Sequence, residues 1–185
     1  METYKLHVAG LERDLPICPL NDNLSIAGFV MFGDVEMTIR SAEELLKRVG
    51  DFDLLITAES KGIPLAYEMA RQRGGERWLL ARKAPKLYMR DVLKCEVRSI
   101  TTDANQVLYL DGYDAAYMRG KRVLIVDDVI STGESLHALE TLVHEAGGKV
   151  VGKMAVLAEG DATARKDILY LEKLPLFNAE GKPID

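Results

Sequence analysis

Cysteine is nearly absent from this chain: Cys18 and Cys95 are the only two, and they lie far apart. Two isolated thiols cannot build the disulfide framework of a small secreted domain, and they have no metal-ligand spacing. They read as reduced thiols, which implies a cytoplasmic protein. No apolar run comes near the roughly 20 residues that a membrane-crossing helix needs, so no membrane contact is expected. The start, Met1-Glu2-Thr3-Tyr4-Lys5, has neither the basic opening nor the apolar stretch of a secretory signal. An excess of positive charge is missing too. With 24 basic and 29 acidic residues the net charge is −5, and an acidic domain has no overall field with which to attract nucleic acid. Internal repeats and low-complexity linkers are absent, so 185 residues are read as one domain, 1–185. What is present, 48% hydrophobic and 29% charged residues, belongs to a folded chain rather than a disordered one.

The first 36 or so residues look irregular, because Pro16, Pro19, Asn21, Asp22, Asn23, Gly28 and Gly33 interrupt any period. Ser41 followed by Glu44 resembles a capping box, which starts a helix running to Val49. Phe52 to Thr57 has the composition of a buried strand, Ile63 to Arg73 reads as a helix stopped by Gly74-Gly75, and Trp78 to Ala81 resumes as a strand. Val92–Val97 and Val107–Leu110 pair as a hairpin around the polar tip Thr101–Asn105. Arg122 to Val126 is the clearest strand, wholly apolar between charges, as expected when helices cover both faces of a parallel sheet. A helix over Gly133–Ala146 and a strand over Val150–Leu157 follow. The alternation of strand and helix predicts an α/β, doubly wound, mainly parallel sheet.

The chemistry is concentrated in Val126-Asp127-Asp128-Val129-Ile130-Ser131-Thr132-Gly133-Glu134-Ser135. Adjacent carboxylates end a buried strand, and the chain then enters a helix through hydroxyl residues and a glycine. A helix start presents unpaired N–H groups and the positive end of the dipole, so phosphate is stabilised there. Ser131, Thr132 and Ser135 add hydroxyl donors, and Gly133 lets the backbone come close. Asp127 and Asp128 would repel a bare anion. They make sense beside a phosphate attached to a polyol, whose hydroxyls they accept, or near a divalent cation. Simple capping by Ser131 or Thr132 is the plainer alternative, but it leaves the carboxylates without a purpose. A Walker-type loop does not fit, because no Gly-x-x-x-x-Gly-Lys-Ser/Thr occurs.

This stretch resembles the phosphoribosyl diphosphate (PRPP) motif of type I phosphoribosyltransferases. The resemblance implies that family's fold, with a small variable hood from about 1–36 and 160–185 around a core of about 37–159. It implies that Asp127 and Asp128 hold the ribose hydroxyls, touch a Mg²⁺ ion indirectly and carry catalysis. Ser131, Thr132, Gly133, Glu134 and Ser135 would bind the 5-phosphate. Thr57-Ala58-Glu59-Ser60-Lys61-Gly62, after a strand and before a helix, is similar to the diphosphate loop, with Glu59, Ser60, Lys61 and Gly62 as its binding residues. Arg82-Lys83-Ala84-Pro85-Lys86-Leu87 is similar to the Arg-Lys-x-x-Lys-Leu stretch of adenine enzymes, whose Arg82, Lys83 and Lys86 counterparts meet diphosphate. The tip Thr101–Asn105 falls where the family has a mobile loop. Phe29, Val129 and Phe177 are candidates to contact the base, although core packing also explains the aromatic pair. Glu159 and Asp161 could reach a base edge or lie in a solvated loop. His7, His137 and His144 show no ligand pattern and are expected on the surface.

The sequence departs from the family in places. Ser131 stands where hypoxanthine–guanine enzymes carry an acid, and Ser-Thr-Gly-Glu-Ser replaces the Ala-Thr-Gly-Gly-Thr of adenine enzymes. The Tyr and Glu of their mobile loop have no counterpart between Ser99 and Gln106. The resemblance implies a Mg²⁺-dependent enzyme of purine salvage that moves phosphoribosyl from PRPP to a purine, adenine-like by preference, as a homodimer. The alternative is a non-catalytic PRPP or nucleotide sensor of the same fold.

Overall fold

The computed structural model describes residues 2–98 and 105–184. Its centre is a five-stranded, wholly parallel sheet. The strands are β4 (Leu54–Ala58), β5 (Leu79–Ala81), β8 (Arg122–Ile130), β9 (Lys149–Glu159) and β10 (Leu169–Leu174), in the order β10-β9-β8-β4-β5. Alternation along the strands feeds separate cores on the sheet's opposite faces. Leu124 and Val126 of β8 join Leu55 of β4 on one face. Val123 and Ile125 join Leu54 and Ile56 on the other. The helices α1 (Val35–Leu46) and α2 (Ile63–Gln72) cover the first face, while α3 (Gly112–Met118) and α4 (Glu134–Glu145) cover the second. This is the doubly wound arrangement expected from the apolar run at Val123–Val126.

From β4 the chain winds outward to β5; from β8 it winds the opposite way, to β9 and β10. The order of strands therefore reverses between β4 and β8. A reversal leaves a crevice outside the carboxyl ends of those strands, where open α/β sheets bind ligands.

The first residues are not irregular. They form β1 (Thr3–Val8), β2 (Leu11–Pro19) and β3 (Leu24–Ala27), joined by β11 (Leu176–Asn178) and β12 (Pro183–Ile184) in an antiparallel sheet of order β1-β2-β3-β11-β12. Ala9 and Gly10 have φ of 52° and 75°, the left-handed pair that closes a two-residue hairpin. Leu6 and Val8 point inward from β1 while Lys5 and His7 face out. Segments near both chain ends thus meet in one hood. β10 joins the central sheet, although it lies within 160–185, the stretch assigned to the hood.

The start of α1 also corrects the sequence reading. Its N-cap is Asp34, whose Oδ1 accepts from Met37 N at 3.0 Å. Ser41 is buried inside the helix and caps nothing. The hairpin of β6 (Leu93–Arg98) and β7 (Asn105–Leu110) is as predicted, with Leu93 opposite Leu110. The mobile loop expected at Thr101–Asn105 falls, apart from Asn105 at the start of β7, outside the described residues. β7 is fastened to the end of β5 by paired 2.8 Å hydrogen bonds between the backbones of Arg82 and Tyr109.

Candidate active site

The switch point gathers loops from three parallel strands. After β4 comes Glu59-Ser60-Lys61-Gly62, leading into α2; after β5 comes Arg82-Lys83; and β8 carries Asp127 and Asp128. β8 does not stop at Val126 but continues to Ile130, so both carboxylates are strand residues with Asp127 opposite Ala155 of β9.

Asp128 is 3% exposed, and its Oδ2 has no hydrogen-bond partner. Lys61 Nζ lies 3.5 Å from that oxygen, within ion-pair range. Asp127 Oδ1 accepts from Asp128 N at 2.9 Å. Asp127 is half-buried as a residue, but its carboxyl lies against Gly62: a methyl group there would come within 3.0 Å of Oδ1 and 2.2 Å of Thr57 Oγ1. Burial, and then the neighbouring charge of Asp128, push the Asp127 carboxyl up to about 8. At neutral pH the pair therefore holds a proton and presents less negative charge than its formula suggests.

Three buried side-chain atoms among the described residues lack partners: Thr57 Oγ1, Arg82 Nε and Asp128 Oδ2. All belong to these elements. Buried polar atoms are nearly always satisfied, so their concentration at one crevice points to a polar ligand there.

Glu59 corrects the assignment of the whole loop to diphosphate. Its Oε2 accepts from Lys83 N at 3.0 Å, and its Oε1 pairs with Arg82 Nη2 at 3.2 Å. The carboxylate braces the basic turn; on its own it would repel diphosphate. Ser60 and Lys61 are exposed beside it, Lys83 is exposed, and Lys86 is half-buried with its N–H donating to Met89 Sδ at 3.2 Å. Of the basic side chains, Lys61 and Arg82 are tied to the crevice, by Asp128 and Glu59 respectively.

The Ser131–Ser135 loop opens α4 through Gly133, whose φ of 79° makes glycine the natural residue. Gly133 has no side-chain acceptor with which to cap the helix, in contrast to Asp34 at α1. A cavity of about 50 Å³ is lined by Asp127, Val129 and residues 130–136. Val129 thus lies beside the Ser131–Ser135 loop. Phe29 and Phe177 are not: both are core residues, and the Phe177 ring packs edge-on against Tyr4 at 5.3 Å. Neither presents a face for a base.

Glu159, at the end of β9, is half-buried, and burial raises its carboxyl pKa against the opposing pull of Lys61. Asp161 and the three histidines are exposed. A larger cavity of about 730 Å³ lies at the β1–β2 hairpin, α1 and β10, and contains none of the switch-point residues. Thr57, whose Oγ1 faces Gly62, and Arg165, whose Nη1 lies against Gly133, are not among the binding residues read from the sequence. Thr57 ends an otherwise apolar strand, a weak signal; Arg165 gives none.

Residues 36–178 match the model of the phosphoribosyl transferase domain. The chain belongs to the phosphoribosyltransferase family. The adenine phosphoribosyltransferase of Agathobacter rectalis is 34% identical over 167 residues, covering 83% of this chain and 90% of that protein. The hypoxanthine/guanine phosphoribosyltransferase of Methanosarcina mazei is 30% identical over 125 residues, 66% of this chain and 62% of its own. The crystal structure of adenine phosphoribosyltransferase from Thermoanaerobacter pseudethanolicus matches with a TM-score of 0.73 at 24% identity, covering 86% of this chain and 95% of that one. The Saccharomyces cerevisiae enzyme, complexed with an imino-altritol bisphosphate and adenine, matches with a TM-score of 0.67 at 20% identity, covering 85% and 92%. These structures establish the fold, and the relatives place the chain in the purine branch of the type I enzymes.

Proposed function

We propose that this chain transfers the 5-phosphoribosyl group of PRPP to a ring nitrogen of a purine, adenine foremost, giving a nucleoside 5'-monophosphate and diphosphate. The observation that carries this reading is the Asp127–Asp128 pair, with a buried Asp128 Oδ2 that has no hydrogen bond, placed at the switch point shortly before a glycine-started helix. That arrangement offers a phosphate cradle and, beside it, acceptors for the hydroxyls of a sugar.

Mg²⁺ fits the donor set. Among the described residues no group of three or more His, Cys, Asp or Glu could hold a metal alone. One or two carboxylates completed by ligand oxygens and water is a common Mg²⁺ arrangement, and Asp127 and Asp128 supply those carboxylates. When bound, the ion would neutralise charge on the departing diphosphate. The side chains act around it. Lys61, Arg82, Lys83 and Lys86 ring the crevice with positive charge as the bond from ribose C1 to diphosphate oxygen breaks and the electron pair leaves with diphosphate. Asp127 and Asp128 orient the ribose and favour the positive charge that develops on it. The base nitrogen then forms the new bond to C1, and no side-chain nucleophile is needed.

A cytoplasmic homodimer belongs to this reading. No helix among the described residues is long and apolar enough to cross a membrane. Exposed Phe32, Val35, Ile39 and Tyr67 around α1 and α2 form the kind of apolar surface that a second copy would cover.

The test is diphosphate release from PRPP and Mg²⁺ with adenine, hypoxanthine, guanine, xanthine or orotate supplied singly. Release that depends on adenine supports the full reading, and dependence on another base would move the substrate. PRPP binding without release for any base would favour the sensor. In the active protein, Asp128→Asn is expected to lower kcat/KM by about 100-fold or more with circular dichroism unchanged. Near-normal turnover in that variant would remove Asp128 from the mechanism.

A further inference from the structure

Arg165 lies against the phosphate loop although it is thirty positions along the chain from it. It follows a 3-10 turn, Gly160–Ala164, and its N–H donates to Ala162 O at 3.2 Å. The turn is pinned by buried Ala162 and by Tyr170 Oη donating to Thr163 O at 2.9 Å. From there the guanidinium reaches the start of α4: a methyl group added to Gly133 would come within 2.5 Å of Arg165 Nη1.

Its orientation is held from the other side. Arg165 Nε and Nη2 donate to the two oxygens of Asp167 at 3.0 and 2.7 Å. Asp167 is itself held by Lys153 Nζ, which also pairs at 2.7 Å with Glu140 of α4. The hydrogen bonds from Arg165 and Lys153 keep the Asp167 carboxyl well below the usual carboxylate range. Every member of this relay has its charge balanced within it. Among the described residues, however, no acceptor meets Nη1, the nitrogen turned toward Gly133.

The amino end of a helix carries partial positive charge, which disfavours a cation placed against it. The fold nonetheless clamps an arginine to it through a bidentate pair. The arrangement becomes favourable when an anion sits between the guanidinium and the helix amides. Asp127 lines the cavity beside this loop, and Asp128 follows it on the strand with a buried Oδ2 that has no hydrogen bond, so an anion there fits a sugar-bearing ligand.

We propose that Arg165 is a ligand for the 5-phosphate of the phosphoribosyl group, with Asp167 as the residue that positions it. This rests on the function proposed above and adds to it. The phosphate would be held from below by the α4 amides and loop hydroxyls, and from above by Nη1. An arginine held in this way favours a phosphate monoester over a neutral 5-hydroxyl, so nucleosides and free ribose would be discriminated against at this end of the site.

The experiment is calorimetric binding of AMP, ribose 5-phosphate and diphosphate to the full chain and to its Arg165→Gln, Arg165→Met and Asp167→Asn variants. For Arg165→Gln and Arg165→Met, affinity for AMP and ribose 5-phosphate is expected to fall about tenfold or more, the loss of a hydrogen bond to a charged group. Diphosphate, which occupies the other end of the site, should bind as in the parent. Asp167→Asn should raise the KM for PRPP while leaving kcat at saturation close to the parent value, a split that general loosening of the fold would not produce. If whichever Arg165 variant folds binds ribose 5-phosphate as tightly as the parent, the inference is overturned. Failure of the parent chain to bind AMP, ribose 5-phosphate or PRPP at all would instead overturn the functional reading beneath it.

Discussion

At Gly62 a methyl group would stand 2.2 Å from Thr57 Oγ1 and 3.0 Å from Asp127 Oδ1. The residue is glycine because the β4 loop must pass directly over the β8 carboxylates, not because its backbone needs an unusual angle: φ is −73°. Gly62→Ala is expected to cost about 1–3 kcal/mol of stability by overpacking. It should cost about tenfold or more in turnover, because the methyl group pushes the Lys61 loop away from the β8 carboxylates. Thermal melts and steady-state rates check this together; an unchanged melt would mean that the loop yields easily. Asp127 offers a test by pH. Its carboxyl, ordinarily near ~4, is raised by burial and by Asp128 to about 8 in the folded chain, which therefore binds this proton more tightly than the unfolded chain does. The contribution favours folding fully below about pH 4 and is lost as pH rises through about 8. Chelator-treated, ligand-free protein should therefore melt lower at pH 8 than at pH 6 from this cause, and Asp127→Asn should flatten that part of the profile. At this scale the sequence is informative where function is contiguous: Asp127, Asp128 and Ser131–Ser135 are consecutive, and the chemistry of their side chains points to one ligand. Thr57 acquires its role by facing Gly62, and Arg165 by lying over Gly133, contacts that only the fold creates.

Among elements, the parallel strands and their helices were readable because each is either wholly apolar or periodic over several turns. The amino-terminal strands were not. Pro16 and Pro19 suggest a loop, yet both sit in β2, where Pro16 pairs opposite Thr3 in the antiparallel hairpin and Pro19 opposite Ser25. Tertiary pairing with β11, about 150 residues along the chain, completes a sheet that no local pattern announces. The start of α1 was misplaced for a related reason. Ser41 and Glu44 have capping-box spacing, but Asp34 caps Met37 and also receives Arg13 Nε and Nη2 at 2.7 and 3.1 Å. Asp34 therefore joins a helix to the hood. Asp34→Ala is expected to cost about 1–2 kcal/mol through loss of the cap alone. It should also leave Arg13 with only its contacts to the Glu36 carboxylate and the Glu12 carbonyl. Urea denaturation at neutral pH measures the loss, and a change below about 0.5 kcal/mol would show that the cap is dispensable.

For the whole molecule, the net charge of −5 and the basic side chains proposed to line the switch point are opposed features: the overall charge would repel polyanions in general, while the crevice would admit one kind of anion. The same crevice ties substrate chemistry to folding. Gly133 begins α4 without a side chain of its own to cap it, so an anion at this helix start would add what Asp34 gives α1 from within. The choice of buffer then becomes part of the protein's behaviour. In inorganic phosphate the solvent itself can complete the helix, so the chain is expected to melt at a higher temperature than in a zwitterionic buffer of equal ionic strength, by mass action on the folded state. The same phosphate would compete with the sugar donor, and an assay run in the most stabilising buffer would report the weakest apparent affinity.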